Sequence, residues 1–186
     1  MRPREQPLIR SLDRPGDLGW VVMAHGELYA AEHGWDATFE GYVAGIVAEF
    51  AASQSPANRQ ASVRGGAQRA PGAGWIAEAD GGERVGCVLC AAHPSDPATA
   101  LLRTLLVHPS ARGSGLGGAL VDRALAFAAE HRYERMQLWT NDTLTAARRL
   151  YLERGFRLLS REPHHSFGVD LVGETYELEL GAGRQP

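Results

Sequence analysis

The sequence predicts an α/β (α+β) chain whose mixed central sheet of about six to seven strands is flanked by about four helices. Three observations predict it. The apolar period switches repeatedly between helical and strand spacing. Gly34, Asp80-Gly81-Gly82-Glu83 and Gly155 punctuate those runs as stops and turns. One strand-like run leads through a glycine-rich turn, Arg112-Gly113-Ser114-Gly115-Leu116-Gly117-Gly118, into a helix. At 186 residues, the chain reads as a single domain over 1–186.

Pro7–Leu12 is a short extended stretch, and Arg14-Pro15-Gly16-Asp17 is a turn that also starts a helix. From there Leu18, Val21, Val22, Leu28 and Tyr29 share one helical face. Gly34 stops that helix, and Asp36 caps a second, whose stripe is Phe39, Tyr42, Val43, Ile46 and Phe50. Residues 53–74 hold Ser, Gln, Arg, Gly, Pro and Ala around one sizeable apolar residue, Val63. That composition buries too little surface to offset its ordering entropy, so the segment is expected to be a flexible internal loop. Trp75–Ala79 and Arg84–Ala92 form a hairpin, and Leu101–His108 a third strand. A helix runs from Leu116 to His131, a strand over Arg135–Thr140 and a helix over Leu144–Arg154, which Gly155 ends. Phe156–Glu162 and Thr175–Leu180 complete the sheet, with His164-His165 in the connection between them.

Net charge is −3 at pH 7, so the composition does not suggest a nucleic-acid-coating protein. No apolar run approaches the ~18 residues that a membrane span needs, and the N-terminal residues do not read as a signal peptide. All 19 basic residues are arginine. Schiff-base chemistry and a P-loop lysine are thereby excluded. The chain has two cysteines, Cys87 and Cys90, three apart in a strand and therefore on opposite faces. They read as buried small hydrophobes rather than a redox or zinc pair, and a reducing cytoplasm is the simplest compartment. No metal is expected.

The glycine turn carries the chemistry. Glycines let the backbone approach an anion, and the unpaired N–H groups of a helix start point at it. Arg112 adds a full charge suited to bidentate phosphate contact, so a pyrophosphate fits this turn best. Gly113 to Gly118 also matches the dinucleotide fingerprint G-x-G-x-x-G. In a Rossmann unit, however, the glycines follow the strand at once, whereas here His108-Pro109-Ser110-Ala111-Arg112 intervenes.

Arg-x-x-Gly-x-Gly at Arg112, the lead-in Leu105-Leu106-Val107-His108-Pro109, and Ala147-Arg148-Arg149-Leu150-Tyr151 with Gly155-Phe156 resemble the GNAT acyltransferases over roughly residues 75 to 180. A narrower likeness covers nearly the whole chain. Arg14-Pro15-Gly16-Asp17-Leu18-Gly19-Trp20, His33-Gly34-Trp35-Asp36 and Leu138-Trp139-Thr140-Asn141-Asp142 look like the acetyltransferase half of proteins fused to a MarR-type regulator, as does Glu162-Pro163-His164-His165-Ser166-Phe167-Gly168. The DNA-binding half has no counterpart in these residues.

The resemblance implies acetyl-CoA as co-substrate and direct acetyl transfer to an amine in a ternary complex, with neither nucleic acid nor membrane as partner. Homodimerisation, common in that family, is a further implication. Leu105, Leu106 and Val107 would pair with the pantetheine arm and offer an N–H to the thioester carbonyl. Arg112, Gly113, Ser114, Gly115, Leu116, Gly117 and Gly118 would hold the pyrophosphate, with Ala147 lining the cofactor's path. Tyr151 would protonate the departing thiolate; on the residues alone it could equally be a core aromatic. The family's pantetheine-binding Asn falls here on Leu144, so Asn141 either takes that role or forms a turn with Asp142 and Thr143.

For a general base, His25 lies on the apolar face of the first helix and Glu32 continues that face, so the two could form a proton relay. They could equally be a buried, hydrogen-bonded histidine and a solvated glutamate. The acceptor is less legible. Glu27, Glu32, Asp36, Glu40 and Glu49 would suit a cationic amine, whereas Tyr29, Trp35, Phe39 and Tyr42 could frame an aromatic or apolar one. The alternative function is a non-catalytic acyl-CoA-binding or regulatory module on the same fold.

Overall fold

The computed structural model describes residues 6–55 and 72–181. The elements run β1 (Leu8–Ser11), α1 (Asp17–His33), α2 (Ala37–Ser53), β2 (Ala73–Glu78), β3 (Arg84–Ala92), β4 (Thr99–Val107), α3 (Leu116–Glu130), β5 (Arg135–Asn141), α4 (Thr145–Glu153), β6 (Arg157–Ser166) and β7 (Val169–Glu179). The strands form one sheet in the order β1-β2-β3-β4-β5-β7-β6. All neighbours are antiparallel except β4 and β5. This is the mixed sheet and helix set that the sequence predicts. Most of the expected loop at 53–74, namely 56–71, lies outside the described residues.

Each face of the sheet buries its own core. Cys90, Leu102, Met136 and Tyr176 pack with Leu120, Val121 and Ala124 of α3 and with Tyr151 of α4. Ile76, Cys87, Leu89 and Leu106 pack on the other face with Val21 of α1 and Val43, Val47 and Phe50 of α2. Cys87 and Cys90 are free, buried, and on opposite faces. Asp36 caps α2, its carboxylate accepting from the Thr38 N–H at 2.9 Å.

Two features shape the site. β4 and β5 pair only from Thr99↔Arg135 to Leu102↔Leu138, and beyond Leu102 the two strands part. At the same point Thr104 and Leu105 stand opposite Val88 alone, a β-bulge with Thr104 at φ 49°. The extra residue reverses the facing of the rest of the strand. Leu102 and Leu106, which an unbroken strand would place on one face, enter opposite cores.

The last two strands are longer than expected. β6 reaches Ser166 and β7 starts at Val169, so His164 and His165 sit in a strand and the hairpin tip is Phe167-Gly168. Pro163 is accommodated because β6 is an edge strand, where a missing N–H leaves no partner unpaired.

Candidate active site

Past Leu102 the parting strands leave a wedge, and two cavities meet in it. The first, about 510 Å³, runs from Leu105, Leu106 and Val107 past Arg112 to the start of α3, with Ala147 and Leu150 of α4 as its other wall. Gly113 (φ 77°) and Gly115 (φ 82°) adopt the left-handed conformation that glycine favours. Gly115 offers α3 no side-chain cap, so the first-turn N–H groups of Leu116, Gly117 and Gly118 have no side-chain acceptor. Ser114 donates its hydroxyl to the Ala111 carbonyl at 2.7 Å and so braces the turn rather than facing the cleft through that hydroxyl. An added Cβ at Gly117 would come within 3.4 Å of Leu150, and one at Gly118 would collide with Arg154, which pairs with Asp122 at 2.7 Å. The turn therefore carries glycine for close packing as well as for conformation. Such a cradle, with an arginine at its edge, fits a pyrophosphate.

The second cavity lies between α1, α2, β4 and β5. His25, Tyr29, Tyr42, Arg103, Trp139, Asn141 and Tyr151 line it, and it shares Tyr29, Leu105, Leu144 and Ala147 with the first. Tyr151 is 5% exposed, and burial raises its pKa above that of a free phenol. No hydrogen bond engages its hydroxyl among the described residues, and the residue lines the second cavity one helical turn from Ala147, which lines both. Asn141 is buried at the end of β5, and its Oδ1 accepts from the His164 Nε2–H at 2.9 Å. Its backbone carbonyl also accepts from the Leu144 N–H at 3.0 Å, so the turn expected over Asn141, Asp142 and Thr143 is present while the Asn141 side chain is turned inward. Ser166 fixes the His164 tautomer through Nδ1 at 2.9 Å.

The structure does not bring His25 and Glu32 together. The Nδ1–H of His25 donates to the Val21 carbonyl at 2.7 Å, while its Nε2 is buried with no partner among the described residues. Burial pushes its pKa down to about 4, so the ring is neutral at pH 7. Glu32 instead forms a two-point ion pair with Arg112, at 2.9 and 3.0 Å, across the mouth of the first cavity. The periodicity that puts both on one side of α1 does not specify their separation, and the nearby arginine takes the carboxylate.

Sequence reasoning missed several contributors. Arg103 and Trp139 line the second cavity through the parting of β4 and β5, which no local pattern announces. Thr104 makes the bulge without a glycine signal; Cys87 donates its thiol to the Thr104 carbonyl at 3.3 Å. Tyr29, read as an apolar-face residue and a possible frame for the acceptor, lines both cavities. Glu174, fully buried on β7, accepts from Arg148 at 2.6 Å, Arg161 at 3.0 Å and the Tyr176 hydroxyl at 2.7 Å. It thereby ties α4, the helix of Tyr151, to the sheet. Among the described residues, no group of three or more His, Cys, Asp or Glu side chains is arranged to hold a metal ion, and no helix is long and apolar enough to cross a membrane.

Comparison with known proteins agrees with this geometry. The chain is 38% identical over 91 residues to N-acetylaspartate synthetase of Rattus norvegicus, a match covering 49% of this chain and 30% of that protein. It is 36% identical over 74 residues to mycothiol acetyltransferase of Beutenbergia cavernae, covering 40% of this chain and 24% of that one. The matches thus span under a third of either relative. The fold is shared with yncA of Salmonella typhimurium, solved with its cofactor acetyl-CoA (TM-score 0.67, 19% identity, 98% of each chain). It is also shared with ribosomal-protein-alanine N-acetyltransferase of Brucella melitensis (TM-score 0.66, 18% identity, 92% of this chain and 99% of that one). The sequence signature of the acetyltransferase (GNAT) family matches residues 35–156, and the chain belongs to that family.

Proposed function

We propose that this protein is an N-acetyltransferase that moves the acetyl group of acetyl-CoA directly to an amine acceptor, both bound at once. One observation carries the reading: a cleft fitted to a pyrophosphate-bearing arm shares Tyr29, Leu105, Leu144 and Ala147 with a separate, smaller cavity that Tyr151 lines. Bound acetyl-CoA supplies a thioester carbonyl; the acceptor ammonium loses a proton, the neutral nitrogen bonds to the carbonyl carbon, the C–S bond breaks, and amide, free thiol and that one released proton result.

The chain's own residues divide the work. Arg112 and the amides from Gly113 to Gly118 hold the diphosphate, with Glu32 released from Arg112 as the anion takes its place. The bulged β4 backbone at Leu105 to Val107 pairs with the pantetheine arm and turns an N–H toward the oxygen on which negative charge develops, the contribution that usually matters most in acyl transfer. Tyr151, held protonated by burial, hydrogen-bonds the departing sulfur and supplies its proton. Asn141 steadies the cavity between the two ligands. His25 lines the acceptor side as a neutral ring whose lowered pKa makes it a weak base, so the amine's proton leaves through solvent rather than through a His25–Glu32 relay. Two buried free thiols suit the cytoplasm.

The test is a calorimetric titration with acetyl-CoA, with CoA and NADH alongside, followed by thiol-release assays over an amine library. Micromolar binding of acetyl-CoA, none of NADH, and acceptor-dependent thiol release are expected. A folded sample that binds no CoA ligand overturns the reading, and binding with no turnover of any amine leaves a non-catalytic acyl-CoA module.

A further inference from the structure

The acceptor cavity carries a charge that acetyl transfer to a simple amine leaves unused. Arg103 lies one residue beyond the last β4–β5 pair and opposite Leu89, so its side chain stands on the face covered by α1 and α2. It is half-buried and lines the acceptor cavity. Among the described residues it has no ion pair and no side-chain hydrogen bond, while the arginines elsewhere in the core are matched. Arg10 and Arg84 pair with Asp17, Arg135 with Asp96, and Arg148 with Glu174.

No aspartate or glutamate lines this cavity. The acidic residues of the first two helices, which would suit a cationic acceptor, do not reach it: Glu32 is held by Arg112, and Asp36 caps α2. The cavity's formal charge is therefore a single positive one, fixed in a partly desolvated wall where charge interactions weigh most. A polyamine or a lysine side chain would bring a second cation against it.

Rings make up much of the remaining wall. Tyr42 and Trp139, 39% and 40% exposed, stand edge to face with centroids 6.1 Å apart. Phe167 packs on Tyr42 at 5.8 Å and His164 lies against Trp139 at 5.6 Å. Gly173 makes room for this arrangement, since an added Cβ would come within 2.8 Å of the Trp139 indole nitrogen. These half-exposed aromatic faces offer an apolar seat beside the cation.

Resting on the acetyltransferase reading, we propose that the acceptor is an amino acid or a similar small amino-carboxylic acid with an apolar or aromatic body. Its carboxylate takes the two-point fork of Arg103, its body lies on Tyr42 and Trp139, and its amine is directed toward Tyr151 and the thioester. The reaction balances as ammonium plus thioester giving amide, thiol and one proton, with the carboxylate unchanged throughout.

The experiment uses the full chain with acetyl-CoA and matched acceptors: phenylalanine and leucine, their carboxamides, phenethylamine, and spermidine. The acids are expected to exceed their amides at least tenfold in kcat/KM, and spermidine by more. Arg103→Gln should raise KM for the acids at least tenfold with little change in kcat and no change for the amides, and Arg103→Lys should restore part of the loss. Acetyl-CoA titrations of each variant show that the cofactor cleft is intact. If acetyl-CoA binds but the amides or spermidine react as well as the acids, or no acid reacts, this proposal is overturned while the cofactor assignment stands. Equal losses for acids and amides in Arg103→Gln also overturn it. Absence of acetyl-CoA binding by the wild-type chain removes both readings together.

Discussion

His25 shows how one buried residue couples the site to stability. Its ring is 2% exposed, one nitrogen is satisfied by a backbone carbonyl, and the other has no partner among the described residues. The folded-state pKa, about 4, lies below the ordinary 6.5. The unfolded chain therefore binds the proton more readily, and this contribution to stability, full above pH 6.5, is lost as pH falls toward 4. Denaturant melts at pH 7 and pH 4.5 should differ by on the order of 2–3 kcal/mol more for the wild type than for His25→Phe. Equal differences would mean that the ring is not held neutral by the fold. Tyr151 makes the complementary case for chemistry. Burial keeps its phenol protonated, so Tyr151→Phe should lower kcat on the order of 10²-fold while calorimetric acetyl-CoA affinity stays nearly intact. A fully active Phe variant would return Tyr151 to a packing role.

α4 is a short helix, Thr145–Glu153, whose position depends on a charge buried outside it. Arg148 reaches Glu174 with two nitrogens, at 2.6 and 3.1 Å, and the Asp142 carbonyl at 3.2 Å. Glu174 is fully buried, while Arg148 and Arg161 are 29% and 52% exposed, so solvent screens part of the attraction. Glu174→Ala is expected to cost about 2–3 kcal/mol in urea unfolding, toward the low end for breaking a buried pair. It should also lower turnover through Tyr151 more than it weakens acetyl-CoA binding. The helix itself is legible in the chain: Ala147, Leu150 and Tyr151 share a face and Gly155 ends it with φ 87°. Its anchor is not, because Glu174 shares the strand face of Tyr176 and Leu178, and no local pattern announces that Arg148 and Arg161 will meet it there.

Across the whole molecule, the site depends on the sheet coming apart at one place. The larger cavity has walls from β4, α1, α3 and α4, elements brought together by the sheet and its two cores. A ligand that touches all of them binds the folded chain alone. Acetyl-CoA at a hundred times its Kd should therefore stabilise the fold by about 2.7 kcal/mol, read as a rise in thermal midpoint. Gly115→Val should abolish that rise, because a β-branched residue resists the left-handed conformation at φ 82°. A rise retained in the variant would place the ligand away from the turn.

Local patterns were enough for the element order, the caps at Gly34 and Asp36, the glycine turn and the helix that bears Tyr151. Each depends on residues within a few positions of one another, and backbone conformation and amphipathic period act at that range. The tertiary structure decided the rest. It gave Glu32 to Arg112 rather than to His25, set Asn141 against His164, turned Glu174 inward and left Arg103, among the described residues, without an ion pair in the second cavity. The Glu32–Arg112, Asn141–His164 and Arg148–Glu174 contacts join residues 23 to 80 positions apart, and the arrangement arises from strand order, from the one-residue bulge that reverses β4, and from the parting of β4 and β5. Burial and charge pairing are properties of neighbours in space, and the sheet, not the local sequence, makes those residues neighbours.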